Sequence, residues 1–323
     1  YEEAAEQFEA LLERAKTPLE KAEVLATRTR QYSTIGKMRE SIEAAIAGLA
    51  LLDIEISGNP EQAIIDAEIV EVRRLLAGRE IADLIYAAPL EDPKARIAIR
   101  LLMEIFPAAF LSGSGSLFPF LVLKSVNISL AYGTGSESAF AYAAYGMLLC
   151  GALDDPALGY EYGKLAVRMN EELDDIKLKS RVIYVYTMFV HHWNNHYSSM
   201  TPWFKKGIEA GYQSGDLLYL AYSAQDCIIW DPTLDVETAA QEQRRYLAIV
   251  RDCEYQDSFD SGSLFLQMLQ NFQGKTDGLL SMDDLPEEGQ FDEAACVEGM
   301  RARRFMTGIA NYHIYKTEIC LFY

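Results

Sequence analysis

Hydrophobic residues recur along this chain at the spacing of an amphipathic helix. In 41–53 (SIEAAIAGLALLD), Ile42, Ala45, Ile46 and Leu49 fall at i, i+3, i+4 and i+7, which places them on one stripe. Ile65, Ile69, Val72 and Leu76 repeat the pattern, and Leu158, Tyr162, Leu165 and Met169 repeat it again. Strand-like alternation closed by Asn-Gly or Asp-Gly turns is absent from the sequence.

Proline and glycine mark the breaks. Thr17-Pro18, Asn59-Pro60, Asp92-Pro93, Asp155-Pro156 and Thr201-Pro202 each set Pro at a helix start, where its missing N–H is no loss. Gly36, Gly78, Gly133, Gly151, Gly215 and Gly274 stand where helices should end, and glycine tolerates the left-handed closing conformation. The pattern predicts helices over 2–15, 18–35, 37–53, 60–77, 79–88, 93–111, 116–132, 136–151, 155–173, 174–196, 201–214, 215–230, 235–254, 257–273, 292–310 and 311–322. That is about eight antiparallel pairs, with no domain linker and an irregular stretch expected over 275–290.

Small residues at regular places narrow the fold class. A TPR-type hairpin needs a small residue where its helices cross and large apolar residues one turn away. Ala4 with Phe8 and Leu11 fits a second helix of this kind. Residues 22–52 read as a hairpin turning at Gly36, with Ser41 and Gly48 in the small positions. Gly159, Gly163 and Ala166 serve in 154–167, and Gly207 and Gly211 in 202–216. The implied fold is all-α, a TPR-like α-α superhelix forming one domain over 1–323. The period of 34 is not strict, so an irregular helical bundle is the other arrangement the pattern admits.

Composition removes whole classes of function. The 29 basic and 48 acidic residues leave a net charge of −19, a surface that repels nucleic acid and anionic membrane. The most apolar run, Leu117 to Val126, contains Pro119 and Lys124 and falls short of a membrane span. Cys150, Cys227, Cys253, Cys296 and Cys320 are dispersed and form no Cys-x-x-Cys pair, which predicts reduced, buried thiols in a cytoplasmic protein.

Candidate chemistry is sparse. No phosphate-binding Gly-x4-Gly-Lys-Ser/Thr occurs. Gly113-Ser114-Gly115-Ser116 and Gly133-Thr134-Gly135-Ser136 read as turns, with Ser116 and Ser136 or Ser138 as helix caps. His192 and His196 are spaced i, i+4, which on a helix could present two imidazoles to Zn²⁺, but Trp193 stands where a zincin has Glu. His191 completes that cluster as aromatic packing at a helix end, and His313 reads as a core or boundary residue. Asp154-Asp155, Asp174-Asp175 and Asp283-Asp284 evoke Mg²⁺-dependent all-α enzymes but sit where helix N-termini are expected. No catalytic residue, cofactor site or metal site is assigned. Of the 19 tyrosines and three tryptophans many crowd the middle of the chain, as core or as lining of a concave groove. Tyr184, His192, Trp193, Tyr219 and Tyr222 are the candidate partner-binding residues of such a groove.

FEALLERAKTPLEKAEVLATRTRQYSTIGKMRESIEAAIAGLALLDIEI (8–56), ESAFAYAAYGMLL (137–149), LGYEYGKLAVRM (158–169), HHWNN (191–195), GIEAGYQSGDLLYLAYSA (207–224) and MTGIANYHIYKTEICLFY (306–323) resemble the TPR-like region of large multidomain bacterial signalling proteins. In those proteins a kinase-like segment and an AAA/STAND-type ATPase precede the helical array, and GAF and histidine-kinase modules follow it. The resemblance implies a fragment of a longer protein, with ATP binding and phosphotransfer elsewhere. It implies a non-catalytic scaffold that relays signals through a protein or peptide partner, including flanking ATPase and kinase domains, without nucleic acid or membrane. A small-molecule effector-sensing helical domain is the alternative, and an all-α metal-dependent enzyme a remoter one.

Overall fold

The computed structural model describes residues 2–111, 115–285 and 291–323. Every regular element among them is helical. Two isolated β-bridges, Pro89 with Thr134 and Thr276 with Asp284, tie loops together. The chain divides into two compact units, Tyr1–Leu178 with Met188–Asn194, and Lys179–Thr187 with Asn195–Tyr323.

The first unit contains α1 (Glu2–Arg14), α2 (Pro18–Thr34), α3 (Met38–Ala50), α4 (Gln62–Leu76), α5 (Pro93–Glu104), α6 (Phe106–Leu111), α7 (Leu117–Tyr132), α8 (Ser136–Gly151) and α9 (Pro156–Glu172). Helix α10 (Ile176–Phe189) gives its middle to the second unit and its ends to the first. The second unit continues with α11 (Met200–Ser214), α12 (Leu217–Gln225), α13 (Val236–Asp252), α14 (Gln256–Phe272), α15 (Glu293–Ala302) and α16 (Met306–Phe322).

Helices that follow one another pack as pairs in α2/α3, α8/α9, α11/α12, α13/α14 and α15/α16. The expected run of about eight such pairs is interrupted, because α4 packs against α7 with α5 and α6 between them in sequence. Residues 81–86 also form a 3-10 helix where an α-helix over 79–88 was expected. The segment 93–111 divides at Ile105, and 174–196 ends as α-helix at Phe189.

Small residues set the closest crossings. A Cβ added to Gly146 would lie 2.7 Å from the Gly159 carbonyl oxygen, so α8 and α9 touch backbone to backbone. In α11, Gly211 leaves room for Leu220 of α12, whose Cβ would be 2.8 Å from an added methyl group. Ser41 works differently: its hydroxyl is 2.7 Å from that of Ser33 and donates to the Thr29 carbonyl at 3.1 Å. A small polar residue thus packs closely while its oxygen stays bonded.

Helix ends follow the punctuation in part. Thr17, Asp92 and Asp155 cap α2, α5 and α9 ahead of Pro18, Pro93 and Pro156. Pro60 lies before its helix, which Glu61 opens instead, and Pro202 lies inside the first turn of α11. Gly36, Gly78, Gly133, Gly215 and Gly274 have positive φ. Gly151 does not: it is the last residue of α8, and Ala152 is the C-cap. Asp53, Asp154, Asp174, Glu254 and Arg304 also adopt left-handed backbone, so residues that carry a side chain make such closures too.

The cores are continuous within each unit. In α7, Leu117, Phe120, Leu121, Leu123, Val126 and Leu130 are all buried, as a helix apolar on every face requires. Phe106 packs edge-on against Phe140 at 5.0 Å between centroids. In the second unit Phe204 and Tyr219 are fully buried, and Tyr184 lies against both. Cys150 and Cys227 are buried as expected. Cys320, however, lies exposed on α16, and so does His313, because both occupy the face turned from Tyr315 and Ile319.

Candidate functional site

Three of the five candidate groove residues meet in the second unit. Tyr184 on α10 and Tyr219 and Tyr222 on α12 form a triangle of rings, with centroids 5.8, 5.3 and 5.5 Å apart. Tyr255, at the start of α14, extends the group, its hydroxyl 3.2 Å from that of Tyr222. Tyr184 and Tyr219 are buried and Tyr222 half-buried, so these rings fill one another's space. Burial raises the hydroxyl pKa of Tyr184, Tyr222 and Tyr255. They remain neutral hydrogen-bonding groups.

Two carboxylates anchor the cluster, and neither stands out in the sequence beyond being an acid within an apolar run. Asp226 is 4% exposed. The Tyr184 hydroxyl donates to its Oδ2 at 2.9 Å and the Gln225 amide to its Oδ1 at 3.0 Å. Burial outweighs these neutral donors and pushes the Asp226 carboxyl up to about 6. Asp216 forms a buried ion pair with Arg181, Nε to Oδ2 at 2.5 Å, and also caps α12 through the Tyr219 N–H. The Arg181 guanidinium lies over the Tyr219 ring at 5.2 Å. α10 is thereby fastened to both ends of α12.

His192 and Trp193 belong to the first unit. They lie in a 3-10 turn, His191–Trp193, with their rings 5.6 Å apart and Trp193 exposed. Burial lowers the pKa of His191 and, more than its bond to the Met188 backbone raises it, that of His192. His196 belongs to the second unit, where its Nδ1 accepts from the Ser198 N–H at 3.2 Å. The helix ends at Phe189, so His192 and His196 do not share a helical face as their spacing suggested.

The acidic pairs serve helix ends and loops. Asp155 accepts from the Leu158 N–H, Asp175 from the Lys177 N–H and Asp283 from the Glu293 N–H. Asp284 accepts from the Gln267 and Gln270 amides and from the Phe291 N–H. Among the described residues no three His, Cys, Asp or Glu side chains gather as a metal would require. Gly113 and Ser114 lie outside the described residues, as does 286–290 of the expected irregular stretch. Ser116 donates to Asn59 rather than capping α7, and Ser138 accepts from the Gly135 N–H at the start of α8.

A cleft of about 480 Å³ in the first unit is lined by Glu80, Ile81, Ala82, Glu161, Lys164, Leu165 and Arg168. Its cations are already engaged: Lys164 pairs with Glu161 at 2.8 Å, and Arg168 bonds the Tyr86 hydroxyl at 2.9 Å. Among the described residues no helix is long and apolar enough to cross a membrane.

Over 241 residues, 69% of its length, the chain is 24% identical to hybrid signal transduction histidine kinase G of Dictyostelium discoideum. The match spans 7% of that protein's length. No protein-family model matches the chain. The similarity is thus to a region of a signalling protein. Its source is a eukaryote, so it lends no support to the bacterial setting that the sequence patterns suggested.

Proposed function

We propose that this chain is a non-catalytic protein-interaction scaffold that relays signals within or between signalling proteins. Similarity to a region of a histidine kinase carries the reading. The successive helix pairs support it, with Gly146 against Gly159 and Gly211 against Leu220 making crossings of the kind TPR-like repeats use. In an array of this kind each pair is coupled chiefly to its neighbours, so a partner bound at one place shifts the pitch of the rest. The expected partners are a protein or peptide, with kinase and ATPase domains of signalling proteins foremost. No catalytic role is assigned to the chain itself.

The test is functional coupling to a kinase core. The chain is added to the separately expressed histidine-kinase core of the Dictyostelium relative, and autophosphorylation is followed alongside co-purification. Binding with a changed rate supports the relay. No binding and an unchanged rate overturn it.

A further inference from the structure

Exposed aromatic residues are ordinary when scattered singly. Two in the second unit are not scattered. Tyr197, 45% exposed, and Trp230, 38% exposed, face each other with ring planes 25° apart and centroids 6.4 Å apart. They come from separate segments, Tyr197 from the 3-10 turn before α11 and Trp230 from the turn after α12. The Thr201 hydroxyl of α11 donates to Asp231 Oδ2 at 3.1 Å and ties the two segments together. The Asp231 N–H donates to the Ile228 carbonyl, which fixes the turn that carries Trp230.

Asp231 adds a charge at the edge of this pair. The Thr233 N–H and hydroxyl donate to its Oδ1 at 3.1 and 2.6 Å. Oδ2 receives the Thr201 bond, and a carboxylate oxygen can accept two. Partial burial would raise its pKa, but the Thr233 and Thr201 hydrogen bonds and the nearby His196 hold it below the usual carboxylate range. It is therefore an anion at neutral pH. The stretch between Lys206 and Arg244 contains no Lys or Arg, and its acids that reach the surface besides Asp231 are Glu209, Asp235, Glu237 and Glu242.

We propose that Tyr197, Trp230 and Asp231 form a recognition surface for an arginine side chain presented by a basic partner protein. A guanidinium is planar and stacks on aromatic faces while its N–H groups meet a carboxylate in the same plane. Tyr197 and Trp230 supply the exposed faces. Asp231 Oδ2 supplies the acceptor. A lysine ammonium matches the charge but not the shape, so the surface prefers arginine. The net charge of −19 favours the approach of a basic partner.

This proposal deepens the protein-interaction reading and rests on it. Its test is calorimetric titration of the 323-residue chain with an acetylated Gly-Arg-Gly-Arg-Gly amide, with the Trp230 indole N–H followed by NMR to locate binding. Lysine and citrulline counterparts of the peptide are titrated alongside. Saturable binding of the arginine peptide with a shift at Trp230 is expected, roughly fivefold weaker with lysine and lost with citrulline. Trp230→Ala, Tyr197→Ala and Asp231→Asn should each weaken arginine binding about tenfold. Should a variant melt early, Trp230→Leu and Tyr197→Leu keep the bulk and remove the aromatic face. Equal affinity for the arginine and lysine peptides, or unchanged affinity in the aromatic variants, overturns the proposal as mere charge attraction. Loss of the peptide interaction with an intact effect on the kinase core removes this surface alone. Loss of the kinase-core effect with intact arginine binding removes the relay reading alone.

Discussion

At the scale of single residues, the second unit depends on two buried carboxyls that have solved their burial differently. Asp216 meets a full countercharge, since its side chain and that of Arg181 are 3% and 4% exposed and bonded. Removing one member leaves the other charged and buried, which in such pairs costs about 3–5 kcal/mol. Arg181→Ala is therefore expected to destabilise the second unit by that order, and Asp216→Asn added to it to recover part of the loss, as read by urea unfolding. Asp226 has only neutral donors, Tyr184 and Gln225, and its carboxyl is raised from 3.8 to about 6. The folded form thus holds the proton more tightly than the unfolded form does. Its contribution is fully present below the unfolded pKa and declines as pH rises through about 6. Between pH 5 and pH 8 the loss from this one group is on the order of 1 kcal/mol. Asp226→Asn should abolish that part of the slope and stabilise the unit at pH 8. Unfolding free energies measured in urea at several pH values check both signs, and an identical slope in the variant would place the proton elsewhere.

At the scale of elements, the sequence shows which segments are helical and less well how they stop. Apolar stripes such as Ile65, Ile69, Val72 and Leu76 predict α4, and Thr17-Pro18 marks where α2 begins. Glycine signals a left-handed closure because it alone has no Cβ to clash, and Gly36, Gly215 and Gly274 are read correctly for that reason. Arg304 makes the same closure with a side chain, and the Phe305 N–H bonds back to the Met300 carbonyl at 2.9 Å. Nothing in the letters announces it, so the sequence pattern predicts one helix over 292–310 where α15 ends at Ala302. Gly146 carries no mark in the sequence for a related reason: its value lies in the backbone of α9, which only the packed helix pair brings against it. The buried acid Asp226 and the stacking of Tyr197 with Trp230 were equally hidden, since both depend on which turns the fold brings together. Two substitutions test one closure and one crossing. Arg304→Gly relieves a left-handed residue whose side chain is exposed and should stabilise by about 0.5–1 kcal/mol. Gly146→Ala drives a methyl group into the Gly159 carbonyl and should destabilise by about 2–4 kcal/mol. Chemical denaturation of each variant beside the parent measures both, and their opposite signs guard against a general sensitivity to substitution.

At the scale of the whole molecule, the division into two units runs through a helix instead of a linker. Residues 179–187 of α10 pack with the second unit, although the segments on either side of them pack with the first. No shift in composition marks that division in the sequence, because it falls within the single helix α10. Within the second unit this short segment supplies Arg181 for Asp216, Tyr184 for Asp226 and Ser180 for the Gly207 carbonyl. The physical boundary of the unit therefore lies at Lys179, upstream of the loop at Asn195 where α10 has already ended. A fragment of residues 195–323 leaves both buried aspartates without these partners, whereas 179–323 retains them. The longer fragment is expected to unfold cooperatively with a melting temperature several degrees above that of the shorter one. Circular dichroism melts of the two fragments decide the matter: equal melting would mean that α10 only borders the second unit, whereas a clear gap would show that the second unit is built around it.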